Sequence, residues 1–104
     1  MATPAEVLSE FTDQLTYDRI PVEVVRNAKL RILDILGICY ASSTQEFAKG
    51  VADAVAQWGG TPESTVVGFG LRLPAPNAVL VNGVLAHGLD FDDTHAESVT
   101  HASA

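Results

Sequence analysis

The chain has 104 residues, enough for one small domain with a core of its own. It is 47% apolar and 18% charged, which excludes an intrinsically disordered tract. Thirteen acidic against six basic residues give a net charge of −7, which opposes nucleic acid and anionic membrane surfaces as partners.

Residues Met1 to Glu6 carry neither a basic segment nor a continuous apolar run, so no secretory signal is expected and the cytoplasm is the default location. Thr3-Pro4-Ala5-Glu6 reads as a helix start: Thr3 caps, Pro4 suits the first helical position and Glu6 completes a capping box. Val7, Leu8, Phe11 and Leu15 follow at helical spacing and predict a short packing helix to about Leu15. After a break at Tyr17 to Ile20, Pro21 opens a longer second helix in the same manner. From Ile32 to Ala41 that helix is apolar nearly all round, the pattern of an element buried on several sides. A chain of this size could hardly cover it, so exposed apolar surface is expected there. Within this run Asp34 is expected to be held by an ion pair or hydrogen bond. Gly37 is expected to mark close helix approach. Cys39 is the only cysteine and reads as a small buried hydrophobe.

Ser43-Thr44-Gln45-Glu46 offers a second capping box, followed by Phe47, Val51, Val55 and Trp58 on one stripe of a third helix. Trp58 is expected in the core, and Gly59-Gly60 stops the helix. Ser64 to Gly70 is a short β-branched run, read as an isolated strand or extended segment. Gly68 and Gly70 lack the surroundings of a phosphate loop. Leu71 to Asn77 is a proline-containing connector. The stretch beyond it admits two readings: a hairpin turning at Asn82-Gly83, or a buried helix from Ala78 to His87, which the unbroken apolar pattern favours.

All three histidines, His87, His95 and His101, lie in the last eighteen residues with Asp90, Asp92, Asp93 and Glu97. If the fourth helix ran on through Asp93, His87, Asp90 and Thr94 would share a face, with Asp92 and Asp93 to either side. Such a cluster suits proton transfer beside a carboxylated substrate: an imidazole exchanges the proton, a hydroxyl orients the carboxylate and an aspartate fixes the imidazole tautomer. A solvated acidic helix end is the bland reading. Asp92-Asp93-Thr94-His95-Ala96-Glu97 also resembles, loosely, the magnesium-binding segment of helical terpenoid synthases, without a second such segment or a basic clamp. Neither HExxH nor a cysteine pair suggests zinc.

The run Asn82 to His95, completed by Thr100-His101, resembles the signature of the MmgE/PrpD family. Ile20-Pro21 through Ala28-Lys29, Leu33 to Gly37, Ser64 to Gly68 and Ala75 to Ala78 carry further likeness. One departure is Ala102, where the family commonly has proline. The resemblance implies a mainly α fold: residues 1–104 as the incomplete N-terminal portion of an all-helical domain, with about four helices and an extended segment near 64–68. It also implies a lyase acting on small di- or tricarboxylates, 2-methylcitrate dehydratase-like, without metal or organic cofactor, and a homodimer in the full-length family. By position, Asp90, Thr94 and His101 match catalytic residues; His87, Asp92 and Asp93 are secondary candidates, His87 and Asp93 for substrate binding. All six basic residues precede Pro74, so none accompanies the cluster in sequence, and the chain by itself is expected to lack normal turnover. A noncatalytic helical interaction module is the alternative.

Overall fold

A computed structural model describes residues 1–104. Four helices carry most of the chain: α1 (Pro4–Gln14), α2 (Val22–Ser42), α3 (Glu46–Ala56) and α4 (Ala75–His87). Between α3 and α4 lies an antiparallel hairpin of β1 (Ser64–Val66) and β2 (Leu71–Leu73), with Thr65 opposite Arg72. The fold is mainly α, as the sequence implies. No helix is long and apolar enough to cross a membrane.

The core gathers on α4. Val81 and Leu85 are fully buried there, and Ala78 and Ala86 nearly so. Cys39 of α2, Ala48, Ala52 and Val55 of α3, and Val66 and Leu73 of the hairpin close around them. Small residues on α3 and α4 let the two helices approach, and the Phe47 ring lies against Gly88, where a Cβ would meet it at 2.4 Å. Asn82 is the hinge pin between helix and hairpin. Its Oδ1 accepts from the Val67 N–H (2.9 Å) and its Nδ2 donates to the Thr65 carbonyl (3.0 Å). These bonds satisfy the free edge of β1, and they explain why Asn82-Gly83 sits inside a helix rather than at a turn. Pro74 cannot cap α4 with a side chain, and the Glu63 carboxylate does so instead, accepting from the Ala75 N–H at 3.2 Å.

Several local expectations give way to this packing. Thr3 and Glu6 form the predicted capping box, and hydrogen bonds from Thr3 hold the Glu6 carboxyl below its ordinary value. Pro21 is the N-cap of α2 rather than its first residue. The second capping box does not form: the Ser43 and Thr44 hydroxyls donate back to the Tyr40 and Ala41 carbonyls and finish α2. The third helix stops at Ala56, leaving Trp58 exposed rather than in the core, while Gly59 and Gly60 take the positive φ values that end it. Leu71 to Leu73 is a strand, not a connector. Asp34 is exposed with neither ion pair nor hydrogen bond recorded, and nothing lies within 4 Å of a Cβ built on Gly37. Burial of Cys39 is as expected.

Much of the apolar surface is uncovered. The accessible area is 7602 Å², against about 5,600 Å² for a compact monomer of this mass. The radius of gyration is 16.5 Å, where a compact domain of this length has about 13 Å. The excess is on α1, which buries no residue, and on α2, where Leu30, Ile32, Leu33, Leu36 and Tyr40 are all exposed. Val79 and Leu80 add an exposed strip on α4. The packing role expected of α1 is therefore not fulfilled within the chain, whereas the exposed face expected on α2 is present.

Candidate active site

Helix α4 ends six residues earlier than the shared-face argument requires. The Gly88 N–H donates to the Val84 carbonyl and the Asp90 N–H to the His87 carbonyl, and Asp90 takes a left-handed φ of 55°. Aspartate tolerates that conformation better than most residues. The chain thereby reverses and carries Asp92 back beneath the last turn of α4. Asp90 thus comes near His87, and Thr94 near His101, through a loop and not along a helix face.

The pivot of the resulting cluster is Asp92. Its side chain has no exposed area, and its Oδ1 lies 3.0 Å from His87 Nδ1. Its Oδ2 lies 3.0 Å from His101 Nδ1, within ion-pair range but not aligned as a hydrogen bond. The two imidazole rings meet edge to face with centroids 4.5 Å apart. Thr94 Oγ1 is 3.4 Å from His101 Nδ1. Burial alone pushes the Asp92 carboxyl up, but the hydrogen bond from His87, a backbone hydrogen bond and the charges of His101 and His87 outweigh it and hold the carboxyl below its ordinary value.

His101 is placed by a second small device. His95 and Thr100 pair as an isolated antiparallel bridge, with their N–H groups donating to each other's carbonyls at 2.9 and 3.4 Å. His95 Nδ1 and Ser98 Oγ, 2.8 Å apart, brace the loop inside, and Val99 turns it at a φ of 51°. His95 therefore serves the loop and does not face Asp92. Asp93 is bonded by the Arg31 guanidinium of α2. The sequence shows no base near the cluster, yet the fold brings one from 62 positions away and spends it on an internal pair.

Chemically this is a buried carboxylate facing two imidazoles through their Nδ1 atoms. A carboxylate accepts, so each Nδ1 that bonds to it carries the proton, which leaves the corresponding Nε2 free to take one up. His87 is exposed and His101 half-buried, so both can meet a ligand. Asp90, Thr94, His87 and His101 gather around one point, while Asp93 is turned to Arg31. Sequence reasoning placed Asp92 only among the secondary candidates and missed its central position between His87 and His101.

Fold and site together define a mainly helical domain that ends in a cluster of two histidines around a buried aspartate. The chain belongs to the MmgE/PrpD family: residues 6–104 match the MmgE/PrpD N-terminal domain. It is similar to cis-aconitate decarboxylase of Mus musculus, 37% identical over 81 residues, which are 77% of this chain and 16% of that protein. The Homo sapiens cis-aconitate decarboxylase is likewise 37% identical, over 77% of this chain and 17% of its own length. That of Aspergillus terreus is 23% identical over 97 residues, 93% of this chain and 20% of the relative. The chain thus spans a fifth or less of the curated relatives it matches. No solved structure matches it.

Proposed function

We propose that residues 1–104 form the N-terminal portion of the helical domain of a cofactor-independent lyase, and supply one wall of an active site for a small di- or tricarboxylate. The observation that supports this best is the Asp92 carboxylate set between His87 and His101. With Nδ1 at ion-pair distance from Asp92 Oδ2, the Nε2 of His101 removes or returns a proton at carbon next to a substrate carboxylate. Asp92 fixes the tautomer of His87 through its hydrogen bond and balances the imidazolium that forms on His101. Thr94 and Asp90 orient the substrate through its polar groups, and His87 binds beside His101. Within the class, the curated relatives' names favour decarboxylation of a cis-aconitate-like tricarboxylate over the 2-methylcitrate dehydration that the motif resemblance suggests.

The remaining walls must be basic. A substrate with two or three carboxylates needs cations, and Arg31, the one base at the cluster, is already paired with Asp93. The 104-residue chain alone is accordingly expected to convert neither cis-aconitate nor 2-methylcitrate at an enzyme-like rate. Grafting residues 6–104 onto the remainder of the mouse relative tests the reading. Carbon dioxide release from cis-aconitate is expected from the graft, with a loss of at least about 100-fold on His101→Ala. A folded graft whose turnover ignores His101→Ala and Asp92→Asn would overturn the assignment.

A further inference from the structure

We propose that His87, Asp92 and His101, with Asp90 as fourth ligand, form a binding site for a zinc-type divalent cation. One ligand atom from each of these four residues lies within 4.8 Å of all the others. Two imidazole nitrogens and two carboxylate oxygens make a donor set suited to zinc or a similar late transition ion, and too rich in nitrogen for magnesium or calcium.

The spacing supports it. A tetrahedral zinc with arms of about 2.0 Å has ligand-to-ligand edges of about 3.3 Å. Asp92 Oδ1 and Oδ2 each stand 3.0 Å from a histidine Nδ1, close to that edge, and the whole set of ligand atoms, within 4.8 Å, contracts around an entering ion. Asp90 is exposed and sits at the loop's left-handed turn, where its side chain can turn inward to complete the set.

A separate observation points the same way. Asp92 Oδ2 is buried on a side chain with no exposed area, and His101 Nδ1, 3.0 Å away, is not aligned to hydrogen-bond to it. Such an atom costs free energy unless a cation or donor satisfies it. The cation replaces the protons on the two Nδ1 atoms and binds that oxygen. Each imidazole gives its nitrogen lone pair to the metal and releases its Nδ1 proton to solvent, so no redox change is involved. Cys39 is buried against Asn82 and takes no part, and His95 is engaged with Ser98.

Binding stands apart from the proposed lyase reading; only its consequence rests on that reading. A cation on both Nδ1 atoms would hold the imidazoles rigidly to Asp92, and its charge would make the Nε2 of His101 a weaker base. The metal is thus a candidate inhibitor of the same centre, and no turnover is needed to detect it.

Isothermal titration of the 104-residue chain with zinc chloride, and separately with magnesium chloride, tests the site, with histidine ring resonances followed in parallel. One equivalent of zinc is expected to bind, with ring shifts at His87 and His101 and none at His95, and magnesium at least 100-fold weaker. Asp92→Asn and His101→Ala are each expected to weaken zinc by at least tenfold, while His95→Ala and Cys39→Ser leave it unchanged. Far-ultraviolet circular dichroism separates lost ligands from a lost fold, and Asp90→Asn gives a surface variant that cannot disturb the core. Failure to bind zinc, or binding that follows His95 or Cys39 instead, would overturn the proposal.

Discussion

Asp92→Asn is the sharpest test of how the terminal loop is held. The substitution keeps the shape but removes the charge that faces His87 and His101. Hydrogen bonds to charged groups contribute about 1.5–3 kcal/mol, and His87 is 52% exposed, so solvent screening puts the loss at about 1–1.5 kcal/mol. For a domain of this size that corresponds to a fall in Tm of roughly 4–12 °C. The dependence on pH fixes the cause. Burial opposes ionisation of Asp92, but His87 and His101 prevail and its folded-state pKa is lowered. A lowered carboxyl contributes stability in full above its unfolded value, and that contribution is lost as pH falls through the folded value. Thermal melts followed by circular dichroism from about pH 6 to about pH 2 should therefore show wild type and variant converging in acid, below the ordinary aspartate range. A gap that stays constant down to the acid end, or no gap at pH 6, would refute the role given to the carboxylate.

Leu85→Ala, at the fully buried centre of α4, should cost about 2–5 kcal/mol, read as a lower urea midpoint; a change under about 1 kcal/mol would mean that the core is not centred there. Gly68→Ala should destabilise by about 1–3 kcal/mol, because Gly68 has a φ of 76° and an added Cβ would stand 2.5 Å from Ser43. Gly83→Ala meets nothing within 4 Å inside α4, so it should raise stability by up to about 1 kcal/mol in the same denaturation assay. Arg31→Ala breaks an ion pair whose arginine is 56% exposed, and should change stability by less than about 1 kcal/mol.

Legibility in the sequence followed the range of the interactions. The Thr3 capping box, the glycine stop at Gly59-Gly60 and the helical character of α4 are set by neighbours within a few residues, and all three are readable. Strand β2 is not, because Leu71-Arg72-Leu73 has no β-branched residue and is extended only through its pairing with β1. Ser43 and Thr44 can serve the helix before them or the one after, and only tertiary placement decides. The cluster was visible as a group of acids and histidines, and the motif resemblance drew attention to His101 and Thr94. The position of Asp92 between two rings depends on a left-handed turn at Asp90 and a bridge at His95 and Thr100, neither of which has a period to read. Arg31 reaches Asp93 only through the docking of α2 beside α4.

Helix α1 offers a way of watching a covering surface arrive. It has 11 residues and buries none of them, so its capping box is the main restraint it has. Isolated helices of that length are marginal in water, and segments without buried contacts open at almost no free-energy cost. Its amides should therefore exchange with solvent far faster than those of α4 around Leu85. Slow exchange at Val7, Leu8 and Phe11 would then report, residue by residue, that another surface has closed over them, which makes the first helix of the chain a built-in gauge of assembly.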